Sequence, residues 1–194
     1  MPNQADGATP LTEEKREDLI PDHLTARGQL NAWEQANIVR AEDWAFSRSS
    51  LVVTTVEGLR ELHLRMFSDT WHWAGQFRRS DKNIGVPKEM IWQNLAMVCD
   101  DVRFWLDENT FGVREAAARY HHRIVQVHPF PNGNGRHARL AADVLLARHR
   151  EPRFDWLGGE SLDQIESARA RYIDALQAAD SGHYGPLMVY LSVG

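Results

Sequence analysis

His128 stands directly before a turn whose residue types suit phosphate chemistry. The run reads His128-Pro129-Phe130-Pro131-Asn132-Gly133-Asn134-Gly135-Arg136-His137-Ala138-Arg139. Pro129 and Pro131 bar a regular helix, so His128 is held at the end of whatever precedes it. Gly133 and Gly135 permit a tight turn and let bare N–H groups approach a ligand. A helix starting at about Gly135 offers unpaired amides and a positive dipole end, which together favour an anion. Arg136 and Arg139, three residues apart, project from one face of its first turn, and the guanidinium fork matches phosphate. An imidazole titrates near neutrality, so His128 is the candidate general base for a hydroxyl attacking phosphorus. The residues fit a polyphosphate cradle with a proton acceptor beside it.

Each residue also has a plainer reading. His128 as a buried helix cap is the default for an isolated histidine, and Arg139 could pair with Asp143 four residues on. The ion pair explains the charge but not the adjacent glycines. Asn132 could simply shape the turn, since asparagine tolerates left-handed backbone angles.

The run resembles the Fic motif of the Fic/Doc family, usually written His-x-Phe-x-Asp/Glu-Gly-Asn-Gly-Arg-x-x-Arg. It matches at His128, Phe130, Gly133, Asn134, Gly135, Arg136 and Arg139, and departs at Asn132, where the family has a carboxylate. Leu62-His63-Leu64-Arg65-Met66-Phe67 and Trp71-His72-Trp73-Ala74-Gly75-Gln76-Phe77-Arg78 look like the family's segment before the flap, so the resemblance covers roughly residues 50 to 180. With Thr25-Ala26-Arg27-Gly28-Gln29-Leu30-Asn31, the motif looks most like the bacterial subgroup called mobile mystery protein B. The resemblance implies an all-α Fic fold with a small β-hairpin flap. It implies transfer of AMP from ATP to a hydroxyl side chain of a target protein, with His128 as base. Gly133, Asn134, Gly135 and Arg136 would hold the phosphates, and Arg139 would support them. Position 132 is the family's Mg²⁺ ligand, and an amide oxygen there is a weaker ligand than a carboxylate because it carries no charge. Lys82, Asn83 and Ile84 fall in the flap, which in the family pairs with an extended piece of the target; an ordinary polar turn fits those residues too.

Many family members carry an inhibitory helix with Ser/Thr-x-x-x-Glu-Gly/Asn. Leu30-Asn31-Ala32-Trp33-Glu34-Gln35 has the glutamate and neither flanking type, and Thr9-Pro10-Leu11-Thr12-Glu13-Glu14 lacks the last residue. An inhibitory partner protein is the alternative source. Two rival readings remain: a catalytically weak nucleotide-binding regulatory module, favoured by Asn132, and transfer of another nucleotide or a phosphoryl group.

The elements that would position this site are mostly helical. Apolar residues recur at helical spacing over about 30–47, 56–67, 89–106 and 111–127. Further helices follow from Gly135 to near His149 and from about 162 to 179, before a tail with Tyr184, Leu187 and Tyr190. Residues 75–87 read as a short hairpin or extended loop. Residues 1 to about 22 read as a loosely held arm with one helical turn near 12–19. We divide the chain into an N-terminal arm and helix (1–49) and a Fic domain including the C-terminal helix (50–194).

The 194 residues suffice for one domain with a real core, and the net charge of -5 argues against a dedicated nucleic-acid binder. The single Cys99 excludes an intramolecular disulfide and fits a reducing cytoplasm. No apolar run approaches the ~20 residues that cross a bilayer, so no membrane partner is expected. The acidic N-terminus lacks the apolar core of a signal peptide.

Overall fold

The computed structural model describes residues 17–157 and 165–192. Helix α1 spans Arg27–Ser47, a turn earlier than the apolar spacing predicts. The cause is Gln29, whose side-chain oxygen accepts from the Ala26 N–H (3.1 Å) and the Thr25 N–H (3.0 Å). That is the returning half of a capping box, which satisfies amides the helix leaves unpaired. Helix α2 (Val56–Phe67) opens on Thr55, whose hydroxyl accepts from the Gly58 N–H at 3.0 Å. A short 3₁₀ turn, Lys88–Met90, leads into α3 (Ile91–Asp107). Helix α4 (Val113–Val127) and α5 (Asn134–Arg148) form a central packed pair, joined by the motif loop. Helix α6 (Ile165–Asp180) and α7 (Gly185–Ser192) pack on each other and on α4.

The core is continuous through these helices. Leu59, Leu62 and Met66 of α2 meet Tyr120 and Ile124 of α4 and Leu146 of α5, all fully buried. Leu30, Ile38, Ala41 and Ala45 of α1 belong to the same cluster. The site loop is therefore anchored at both ends in the best-packed part of the molecule. Among the described residues no helix is long and apolar enough to cross a membrane.

Three expectations need correction. No β-hairpin forms at residues 75–87. Both sides of this loop spend their amides on the end of α4 and the motif loop: Arg78 N–H donates to the Pro129 carbonyl (2.9 Å) and Val86 N–H to that of Val127 (3.3 Å). A cross-strand ladder would need those groups. The arm is not loose at its described end. Leu19 makes an isolated antiparallel bridge with Trp71, flanked by Ile20 N–H to Thr70 and His72 N–H to Asp18, both 2.9 Å. The expected turn near 12–19 lies mostly outside the described residues. The tail, finally, is helix α7. Pro186 sits in its first turn, where no amide is needed, and Leu187, Tyr190 and Leu191 are buried.

Candidate active site

Helix α4 ends on His128 in the left-handed region (φ 51°, ψ 58°), its N–H still bonded to the Ile124 carbonyl at 3.1 Å. A side chain in that conformation costs roughly 1–2 kcal/mol, which is why glycine usually takes it. Here the strain turns the imidazole out of the helix and toward the motif loop. Nδ1 is shut away from solvent, so Nε2 is the nitrogen left to meet a substrate. Burial, then the charges of Arg78 and Lys82, push the imidazole below its ordinary pKa of 6.5, against a smaller pull from the Val125 backbone. The neutral, proton-accepting form is therefore the resting one at neutral pH.

Gly133 caps α5 with φ 77°, and among the described residues no side chain caps the first-turn amides. A Cβ at Gly133 would lie 2.4 Å from the Phe67 ring, so the turn requires glycine twice over. The amides of Asn134, Gly135 and Arg136 are left facing a cavity of about 520 Å³, which His128, Asn132, Arg136 and Arg139 also line. That volume falls in the usual range for small-molecule sites, ~300–1,000 Å³.

The side chains divide differently from their sequence roles. The Asn134 amide accepts from the Phe130 N–H and donates to its carbonyl, both at 2.9 Å. It braces the loop, and only its backbone N–H remains for a phosphate. Arg136 donates to the buried Glu34 of α1 at 2.9 Å and lies over the Phe67 ring at 5.1 Å. The other Glu34 oxygen accepts from the Trp71 indole at 2.6 Å. Among the described residues Arg139 makes one long bond, to the Gly135 carbonyl (3.3 Å), and does not pair with Asp143. Asp143 instead accepts from the Trp156 indole (2.9 Å) and the Phe154 N–H (3.3 Å). Among the described residues, Arg136 is thus the motif arginine paired with a carboxylate. In the flap, Lys82, Asn83 and Ile84 are all exposed, Ile84 at 61%.

The Asn132 side-chain oxygen accepts from the next amide, Gly133, at 2.7 Å, while its carbonyl meets His63 Nε2 at 3.1 Å. Among the described residues no group of three or more His, Cys, Asp or Glu is placed to hold a metal ion. One neutral oxygen already engaged by an amide does not fit a firmly held Mg²⁺.

Several wall residues escaped the sequence. Trp156, Tyr172, Ile173 and Tyr190 line the far side of the cavity. They come from the loop after α5 and from α6 and α7, and nothing local marks them. His63 was noted only as part of a resembling segment. It is fully buried, stacks on Phe130 at 3.6 Å and accepts from the Gly75 N–H at 3.0 Å.

A model of the Fic/DOC family matches residues 53–146. The protein adenylyltransferase Fic of Aedes aegypti is 28% identical over 142 residues, which is 71% of this chain and 27% of that protein. The chain thus spans about a quarter of the length of the curated relatives it matches. A solved portion of Fic-1 from C. elegans superposes with a TM-score of 0.64 at 25% identity, over 82% of this chain and 48% of that one. BepC from Bartonella tribocorum, solved with bound AMPPNP, shares the fold with a TM-score of 0.63 at 16% identity, over 94% and 98% of the two chains.

Proposed function

We propose, since the chain belongs through residues 53–146 to the Fic/DOC family, that it transfers AMP from ATP to a hydroxyl side chain of a target protein. The observation that carries this reading is the neutral His128 held beside the uncapped first turn of α5. The target hydroxyl oxygen attacks the α-phosphorus as its proton passes to His128 Nε2. The bond between the α-phosphorus and the bridging oxygen breaks, and pyrophosphate leaves with the electron pair. Amides of Asn134, Gly135 and Arg136, with Arg139, stabilise the charge developing on the phosphates, a mainly electrostatic contribution. Relatives named as adenylyltransferases and the AMPPNP held by BepC support ATP as the donor. The test is incubation with ATP labelled in its α-phosphate and a bacterial lysate. Label on protein, absent with His128→Ala, supports transfer; nucleotide binding without label supports a regulatory module, the reading Asn132 favours.

We place Mg²⁺ with the incoming nucleotide, since Asn132 offers no charge. In Asn132→Asp, one carboxylate oxygen can keep the Gly133 amide and the other is free for the cation. The expected outcome is a several-fold lower magnesium concentration for half-maximal ATP binding, roughly 1 kcal/mol. An unchanged magnesium response in a folded variant would mean that the site is built around the amide.

Glu34 acts against nucleotide binding in this reading, because it neutralises Arg136 in the unliganded chain. Glu34→Gln keeps an acceptor for Trp71 and removes the charge. A partly exposed ion pair is worth up to about 1 kcal/mol, so ATP affinity should rise about fivefold by calorimetric titration. No gain would show that Arg136 does not reach the phosphates. We place the chain in a reducing cytoplasm, consistent with its single, buried Cys99, and the target hydroxyl on a Ser, Thr or Tyr.

A further inference from the structure

Arg78 is a buried cation with an unusual set of partners. Its side chain is 1% exposed. Nε donates to the His128 carbonyl at 2.8 Å, one terminal nitrogen to the Ser80 carbonyl at 2.9 Å, and the other to the Val86 carbonyl. Among the described residues the one carboxylate within reach, Asp81, is 3.4 Å away, 64% exposed, and also accepts from the Lys88 N–H at 2.9 Å. A buried charge is costly unless its donors are satisfied, so an apolar side chain would serve mere packing better. What the guanidinium does that an apolar group cannot is join three carbonyls from three places. Ser80 lies where the flap leaves, Val86 where it returns, and His128 is the base.

The surrounding backbone follows the same plan. Arg78 N–H reaches the Pro129 carbonyl and Val86 N–H that of Val127, one on each side of His128. Gly85 (φ +95°) passes so close that a Cβ there would sit 2.7 Å from the His128 Cβ. We infer that Arg78 is a positioning residue: its guanidinium pins both ends of the flap to the backbone of the base, fixing a target held on the flap relative to the imidazole. The inference rests on the reading of His128 as base and of the flap as the target's seat. With Lys82, the same charge opposes protonation of the ring.

Lysine keeps the charge but donates from a single point, so it cannot span the three carbonyls. In isotope-labelled Arg78→Lys, the Val86 amide should exchange with solvent at least about tenfold faster, while the amides of α4 and α5 keep their protection. Arg78→Met should loosen the flap equally and also raise the titration midpoint of the His128 ring, which Arg78→Lys leaves near its native position. In the native chain the Arg78 Nε proton should exchange slowly. A fast-exchanging Nε proton, or native Val86 protection in either variant, would overturn the clamp whatever the variants' stability. None of these readouts requires transfer, so a slow Nε proton in a chain that modifies no protein would leave the clamp standing and count against the transferase reading alone.

Discussion

His128→Ala should lower AMP transfer by about 10²–10⁴-fold, the usual contribution of a positioned general base, while ATP affinity stays nearly unchanged. The separation follows from the geometry. The amides of Asn134, Gly135 and Arg136 belong to α5, and His128 ends α4, on the other side of the loop. The substitution also leaves the backbone donor to Ile124 in place, so the loop keeps its anchor. The native chain should show a second sign of the same base. Because burial and the charges of Arg78 and Lys82 lower the ring's pKa, the acid limb of kcat/KM should fall below pH 6.5. A variant with native transfer rates would remove His128 from the mechanism, and an acid limb above 6.5 would contradict its environment.

Acid should destabilise the fold as pH falls below about 6.5, through its buried histidines. His121 and His137 are buried, and burial above all lowers them to about 3 and about 4. His63 is pushed well down by burial and by the neighbouring His137. A folded-state pKa below the unfolded 6.5 means that the unfolded chain binds protons first, so stability falls as pH drops through 6.5. At about pH 5, His121 and His137 together remove roughly 4 kcal/mol, and His63 acts in the same direction. Asp143 works the other way: its carboxyl is raised to about 6 by burial, which returns roughly 1 kcal/mol over the same interval. Urea unfolding at about pH 7.5 and pH 5 should therefore show a net loss of roughly 3 kcal/mol or more. Equal midpoints and slopes would mean that these rings protonate inside the fold.

The motif and the helices were legible because their signals are local. The spacing of Leu59, Leu62, Met66 and Phe67 gave α2 its bounds, and the glycines and prolines marked the turn between α4 and α5. What stayed hidden depends on groups distant in sequence. Arg136 meets Glu34 across 102 positions, and Arg78 meets His128 across 50. The Asn134 side chain bonds only four residues away, yet its turn inward depends on how Phe130 packs against His63. The missing hairpin has a similar cause: the flap's amides found carbonyls at the end of α4, a competitor that a strand pattern does not display. Helix α7 is too short for a periodic signal and is fixed by packing against α6 and α4.

AMP transfer is tested most directly by mass spectrometry of a target protein labelled by the native chain and ATP. The predicted adduct is one intact adenylyl group, in phosphodiester linkage to a Ser, Thr or Tyr oxygen, formed with release of pyrophosphate and missing when His128→Ala is used. A bare phosphoryl group, a different nucleotide, or an adenylyl adduct undiminished by His128→Ala would contradict it.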